Sequence, residues 1–500
     1  MESPARGRLT FVAAACVVAF GVQPAPVAKD TWIGVRTPHL NIISNAGEGA
    51  TRNVAQRLER FVDGLAAFAG PRIDPDVPVT VMLFRNDASF APFRPKRDGR
   101  TIDLSGYFQR ADDENLIALS LESGTAAEPY RVIFHEYAHA LMARSATLWP
   151  LWLQEGLADF YSAFQSDSRR FALGDWIRDH PRLLLAQRLL PIRELLTVDL
   201  NSPTYLESHQ DLFYAQSWLL THYFMAGDGG RRRAGLDQFI DGISQGLPVD
   251  RAFEEAFRIN EPTLQEELRR YLTDGRYVGA TLAIQRPAPN VSAAIRTLGD
   301  ADAEVAQGSL LMRVGRGDEA DAYFSRARSL DLHAARLDES QGFLALARGR
   351  YEEAAAHLQK AIAQDPNNHL AHYYYAETLR RQQMEQGKLL SADVARAMAE
   401  PLRAGVALKP GFVRAYYLLG YAHSVTGDDL GEGARLLETA IRLAPPHRAA
   451  MLTLASIQLK KRDYNAAKTT AEAIIRSSDA SDALKKEARL IADTAGAQPK

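Results

Sequence analysis

Two histidines and a glutamate fall within HEYAH, at the centre of YRVIFHEYAHALMARSA (130–146). If this segment is helical, His135 and His139 lie one turn apart and about 40° around the axis, so both side chains leave one face. Two imidazoles so placed can share an ion, and zinc takes such nitrogens at ~2.1 Å in a tetrahedron. Glu136 is turned about 100° from His135, too far round to ligate with it comfortably. It can still reach a water in the remaining position and serve there as general base. Ile133, Phe134, Tyr137, Ala138, Leu141 and Met142 supply a side for the helix to bury. The plainer alternative is a helix whose histidines are satisfied by neighbouring carboxylates.

A zinc centre needs a third protein ligand. PLWLQEGLADFYS begins eleven residues after His139 and reads as a second helix after a short connection, with Glu155 sixteen residues past His139. On a helix packed against the first, Glu155 can complete the set. One turn on, Asp159 can accept a hydrogen bond from the outer nitrogen of a ligand histidine and fix its tautomer. Gly156 removes a side chain where these two helices would approach. Trp152, Leu153, Leu157, Ala158 and Phe160 are apolar neighbours that argue against a solvated stretch.

HEYAH followed by WLQEGLADFYS resembles the gluzincin zinc metallopeptidases, and more narrowly the bacterial peptidase MA-like domains, which are often joined to tetratricopeptide repeats. TPHLNIIS, RLERF, VMLFRNDASF, GYF and YAQSWLLTHYF fit the likeness, which spans about residues 30 to 280. It implies one zinc per chain on His135, His139 and Glu155, with Glu136 as base and Asp159 as the acid behind a ligand. It also implies an oxyanion donor from a later helix: Tyr214 first, with His222 and His209 as alternatives. Residues after His139 lack the Gly and third His of the metzincins, and no GxMEN-type segment points to an aminopeptidase.

The remaining sequence must position these groups. WIGV, LNII, VPVTVMLF (77–84) and NLIALSL (115–121) read as strands. NLIALSL is a candidate edge along which an extended peptide could add. TRNVAQRLERFVDGLAAFAG places Val54, Leu58, Phe61, Val62, Leu65 and Phe68 on one helical face. Pro129 and Pro150 stand where helices open, and DLFYAQSWLLTHYF, LDQFIDGIS, RAFEEAFR and LQEELRRYL continue the helical pattern. Further on, Leu332, Pro366, Pro410 and Pro445 mark segments spaced by 34, 44 and 35 residues. Helix pairs with small residues such as Ala345, Gly349 and Ala354 lie between the marks. That period is the tetratricopeptide signature, with about four repeats over 301–490 and an insertion near 380–393.

The expected fold is an α+β metallopeptidase domain, a small mixed sheet plus a helical active-site subdomain, at 29–285. A linker at 286–300 leads to an all-α repeat solenoid at 301–495. Residues 1–28 read as a signal peptide: Arg6 and Arg8, then an apolar run of about 14 residues, short of the ~20 that span a bilayer. An uncleaved anchor is the alternative. Export to the periplasm or medium would remove Cys16, the only cysteine, and with it disulfides and thiolate chemistry. Near-zero net charge gives no nucleic-acid footprint, so the expected partners are a peptide or protein substrate and a protein on the repeats. The expectation is an exported zinc peptidase, with a catalytically inactive, repeat-based binding module as the alternative.

Overall fold

The computed structural model describes residues 30–69, 79–97, 99–109, 114–122, 129–142, 149–167, 169–206, 210–245, 247–284, 295–334, 336–385, 387–444, 447–477 and 480–497. The expected signal segment, His209 and most of the expected linker lie outside them.

β1 (Ile33–Arg36) and β2 (Leu40–Ser44) pair antiparallel, and α1 (Glu48–Ala69) leads to β3 (Val79–Phe84), parallel to β2. The six apolar positions read from the sequence of α1 are all buried. α2 (Asp87–Phe90), capped by the Asn86 side chain, precedes a hairpin of β4 (Lys96–Arg97) and β5 (Arg100–Thr101). β6 (Gly106–Gln109) then pairs antiparallel with β7 (Asn115–Ser120), and β7 runs parallel to β3.

The helical part holds α3 (Pro129–Met142), α4 (Leu151–Ser162), α5 (Asp179–Ala186), α6 (Ile192–Thr197), α7 (Pro203–Leu206), α8 (Gln210–Gly230), α9 (Arg233–Ser244), α10 (Val249–Phe257) and α11 (Glu261–Asp274). A three-stranded antiparallel sheet of β8 (Gln165–Ser166), β9 (Arg170–Leu173) and β10 (Ala280–Ala283) braces it. β11 (Ile295–Thr297), inside the stretch expected as a linker, pairs with β1. The main sheet therefore runs β11–β1–β2–β3–β7–β6. NLIALSL, expected at an edge, is internal. A partner on each side fills its hydrogen bonds, and β6 holds the edge instead.

β3 and β7 are buried throughout because each face meets a different core. Val79, Val81, Leu83, Ile117 and Leu119 pack with α1 and α3. Alternate residues Met82, Phe84, Leu116 and Ala118 join Trp32, Phe90 and Phe93 in a second core. That core is completed by Val305, Leu310, Leu311 and Phe324, from the first repeat helices.

Those helices are α12 (Asp300–Arg313) and α13 (Gly317–Leu330). Four more pairs follow: α14 (Leu337–Ala347) with α15 (Tyr351–Gln364), α16 (His369–Glu385) with α17 (Ala392–Leu408), α18 (Val413–Thr426) with α19 (Leu430–Leu443), and α20 (Arg448–Lys460) with α21 (Tyr464–Arg476). α22 (Asp482–Gly496) ends the series. Among the described residues there are thus five pairs rather than about four, because the last ends in Ser477 without the Leu or Pro mark that follows the others. The expected insertion is taken up mainly by helix length: α16 and α17 have 17 residues each, α18 and α19 14. Ala345 and Ala354 are buried as expected, whereas Gly349 serves the turn at φ +71. Gly308, Gly342 and Gly420 make the close approaches, since a Cβ on each would come within 2.7 Å of Phe324, Leu358 or Leu437. No helix among the described residues is long and apolar enough to cross a membrane.

Candidate metal centre

α3 is fixed in rotation by its apolar side: Ile133, Phe134, Tyr137, Ala138, Leu141 and Met142 are all buried. His135, Glu136 and His139 consequently face a cleft of about 2130 Å³, which they line with Phe108, Tyr205 and Tyr214. α4 packs beside α3 and turns Glu155 and Asp159 inward, each 6% exposed. Neither is a solvated helix residue.

The structure brings His135, His139 and Glu155 together. Their Nε2 atoms are 3.1 Å apart, and Glu155 Oε2 lies 3.4 Å from the first and 3.3 Å from the second. Ligands about 2.0–2.2 Å from a tetrahedral centre stand roughly 3.3–3.6 Å from one another; both edges to Glu155 match, and the shorter edge between the imidazoles need open only slightly to accept zinc. Glu155 Oε2 is buried without a well-formed hydrogen bond, with only the two imidazole nitrogens near it, and burying a carboxylate oxygen in that way is costly. Burial works to raise the Glu155 pKa, but His139 and His135 outweigh it and hold it at about 2.

Asp159 lies behind the triangle. Its Oδ1 meets His135 Nδ1 at 3.0 Å, and its Oδ2 meets His180 Nε2 at 2.8 Å. Burial pushes its carboxyl upward, yet His180 and His135 bring it well below the usual carboxylate range. Glu136 carries a raised pKa, first through burial, with Glu155 adding to it and the two histidines opposing. The backbone of Phe108 on β6 also opposes the rise. The Phe108 ring stacks on His139 at 6.4 Å and 12°.

Gly156 does remove a side chain at a close approach, but against α8 rather than α3. A Cβ there would stand 2.1 Å from Thr221 Oγ1 and 2.4 Å from Ser217 O. Tyr214 lines the cleft, its hydroxyl 3.3 Å from that of Tyr205. His222 does not: it is fully buried, with Nδ1 2.7 Å from the Tyr271 hydroxyl and Nε2 2.9 Å from Gly174 O. His180 and Tyr205 were not found from sequence, and Phe108 was noted only within GYF, without a role. The first two sit on the short helices α5 and α7, and Phe108 enters by strand register, so no long periodic signal marks them.

The family model of the tetratricopeptide repeat matches residues 305–369 and 340–389. The chain carries tetratricopeptide repeats. Among solved structures it is similar to MamA from Desulfovibrio magneticus RS-1, with 22% identity over 37% of this chain and 99% of that one, at a TM-score of 0.31. YrrB, described as a TPR protein with an unusual peptide-binding site, is 20% identical over 38% of this chain and 92% of its own, with a TM-score of 0.33. PilF of Pseudomonas aeruginosa is 18% identical over 39% and 88%, with a TM-score of 0.31. No curated protein matches the chain.

Proposed function

We propose that this chain is an exported zinc peptidase whose repeats recruit a protein substrate or partner. The observation that carries the reading is the triangle of two imidazole nitrogens and one buried carboxylate oxygen, set in a cleft beside Glu136. His135, His139 and Glu155 would hold the ion. Bound there, zinc supplies Lewis acidity that brings the pKa of a water towards neutrality and polarises the carbonyl under attack. Glu136 takes the proton and delivers it to the leaving amine. The Tyr214 hydroxyl, beside that of Tyr205, donates to the oxyanion. β6 lies at the sheet edge and lines the cleft, so an extended peptide can add to it as a further strand.

The test is zinc content together with turnover. Wild-type protein is expected to hold one zinc, and His135→Ala/His139→Ala none. Glu136→Gln should keep zinc yet lose at least a thousandfold in peptide hydrolysis, and prolonged chelation of the wild type should abolish it. No zinc after reconstitution would overturn the reading.

A second reading is favoured by the match to known families, which falls on the repeats. In it the protein is a repeat-based binding module, and the centre beside the sheet is inert or structural. Stacked helix pairs present extended surfaces suited to peptides and helices. Zinc bound without turnover of any peptide, in wild type and Glu136→Gln alike, would decide for it.

A further inference from the structure

Asp159 divides its carboxylate between two imidazoles, and only one of them belongs to the ligand set. His135 presents Nε2 to Glu155 and His139, which leaves its Nδ1–H to donate to Asp159 Oδ1. The other oxygen is taken by His180, with Nε2 2.8 Å away. His180 comes from the first turn of α5, where its backbone N–H is held by Ile177 O, and its ring lies 5.6 Å from that of buried Trp218 on α8. Thus α5 and α8 fix His180, His180 fixes the second oxygen of Asp159, and Asp159 fixes the ring of His135.

We propose that His180 is a positioning residue for the metal centre: by donating to Asp159 Oδ2 it locks the carboxylate plane that orients the ligand His135. Without that bond the carboxylate is free to turn about its Cβ–Cγ axis, and the buried oxygen facing α5 loses its donor. Outer partners of metal ligands are typically worth 10–100-fold in affinity. One bond further out, the lower end of that range applies. The inference rests on the zinc reading above, and its test separates the two.

Zinc affinity would be measured by competition with a chromophoric chelator for wild type, His180→Phe and His180→Gln. His180→Phe keeps a ring on Trp218 but has no donor, and should bind zinc about tenfold more weakly. His180→Gln offers an N–H at similar reach and should stay within about twofold of wild type. The visible absorption of the cobalt-substituted protein should shift in the Phe variant and not in the Gln variant. Melting temperatures of the metal-free proteins, compared in parallel, separate this from a folding defect. If His180→Phe does not fold, His180→Ala against His180→Gln makes the same comparison. Equal zinc affinity across the variants would overturn the role of His180 while leaving the centre intact, whereas wild type that binds no zinc would overturn both.

Discussion

Glu155 and Asp159 stand one turn apart on α4, equally buried, and differ in what their oxygens meet. Asp159 has a donor on each side, whereas one oxygen of Glu155 has no well-formed hydrogen bond. The difference predicts different consequences of removing charge. Asp159→Asn keeps the shape but presents an amide where one imidazole needs an acceptor. Zinc affinity should fall about 10–100-fold, read by chelator competition, with a centre that still forms at high zinc. Glu155→Gln removes a ligand charge outright and should leave no zinc bound after dialysis against micromolar metal. The convergence of His135, His139 and Glu155 was legible in the sequence because they lie on two consecutive helices, where spacing along the chain translates directly into direction. His180 and Phe108 were not, because the packing of a short helix and a strand register decide where they arrive.

At the scale of elements, α4 reaches the site only because Gly156 lets it settle on α8. Gly156→Ala places a methyl group against a backbone carbonyl as well as a hydroxyl, and neither can swing aside as a long side chain would. Overpacking of this kind costs about 1–3 kcal/mol. The expected result is a lower melting temperature together with weakened zinc binding, since Glu155 and Asp159 move with the helix. α1 is tied to the turn between β1 and β2 through Glu59, which accepts from Thr37, from the His39 ring and from the His39 backbone N–H. Burial pushes the Glu59 pKa up, but these bonds outweigh it and leave it lowered. A carboxylate lowered in the folded state contributes stability above its unfolded pKa of ~4.3 and loses it as pH falls through the folded value. Thermal stability should therefore drop below about pH 4, and Glu59→Gln should flatten that part of the profile. Periodicity revealed α1 and its buried face. It could not say which of two neighbouring strands ends the sheet, because β7 and β6 differ in their partners rather than in their own alternation.

For the whole molecule, the repeats are built onto the sheet. Arg316 of the first pair donates to Pro92 O and Arg94 O at 2.6 and 2.9 Å, Lys96 bridges to Glu319 at 2.8 Å, and Phe324 lies in the core behind β3 and β7. Phe324→Ala should cost about 3–5 kcal/mol, and calorimetry should show the loss in the transition of the sheet domain as well as in the repeats. Two transitions with only the repeat transition displaced would contradict a shared core. The period near 34 residues made the solenoid legible. The shared core was hidden, because continuous burial of VTVMLF tells that both faces are covered and not by what. The placing of β11 beside β1 also sets a timetable. Ile33 finds its partner only at Thr297, so at about 5–20 residues per second of synthesis the first strand waits on the order of tens of seconds. During that interval its edge is open, and the nascent chain carries an unfinished sheet that a chaperone, or a neighbouring copy, can reach.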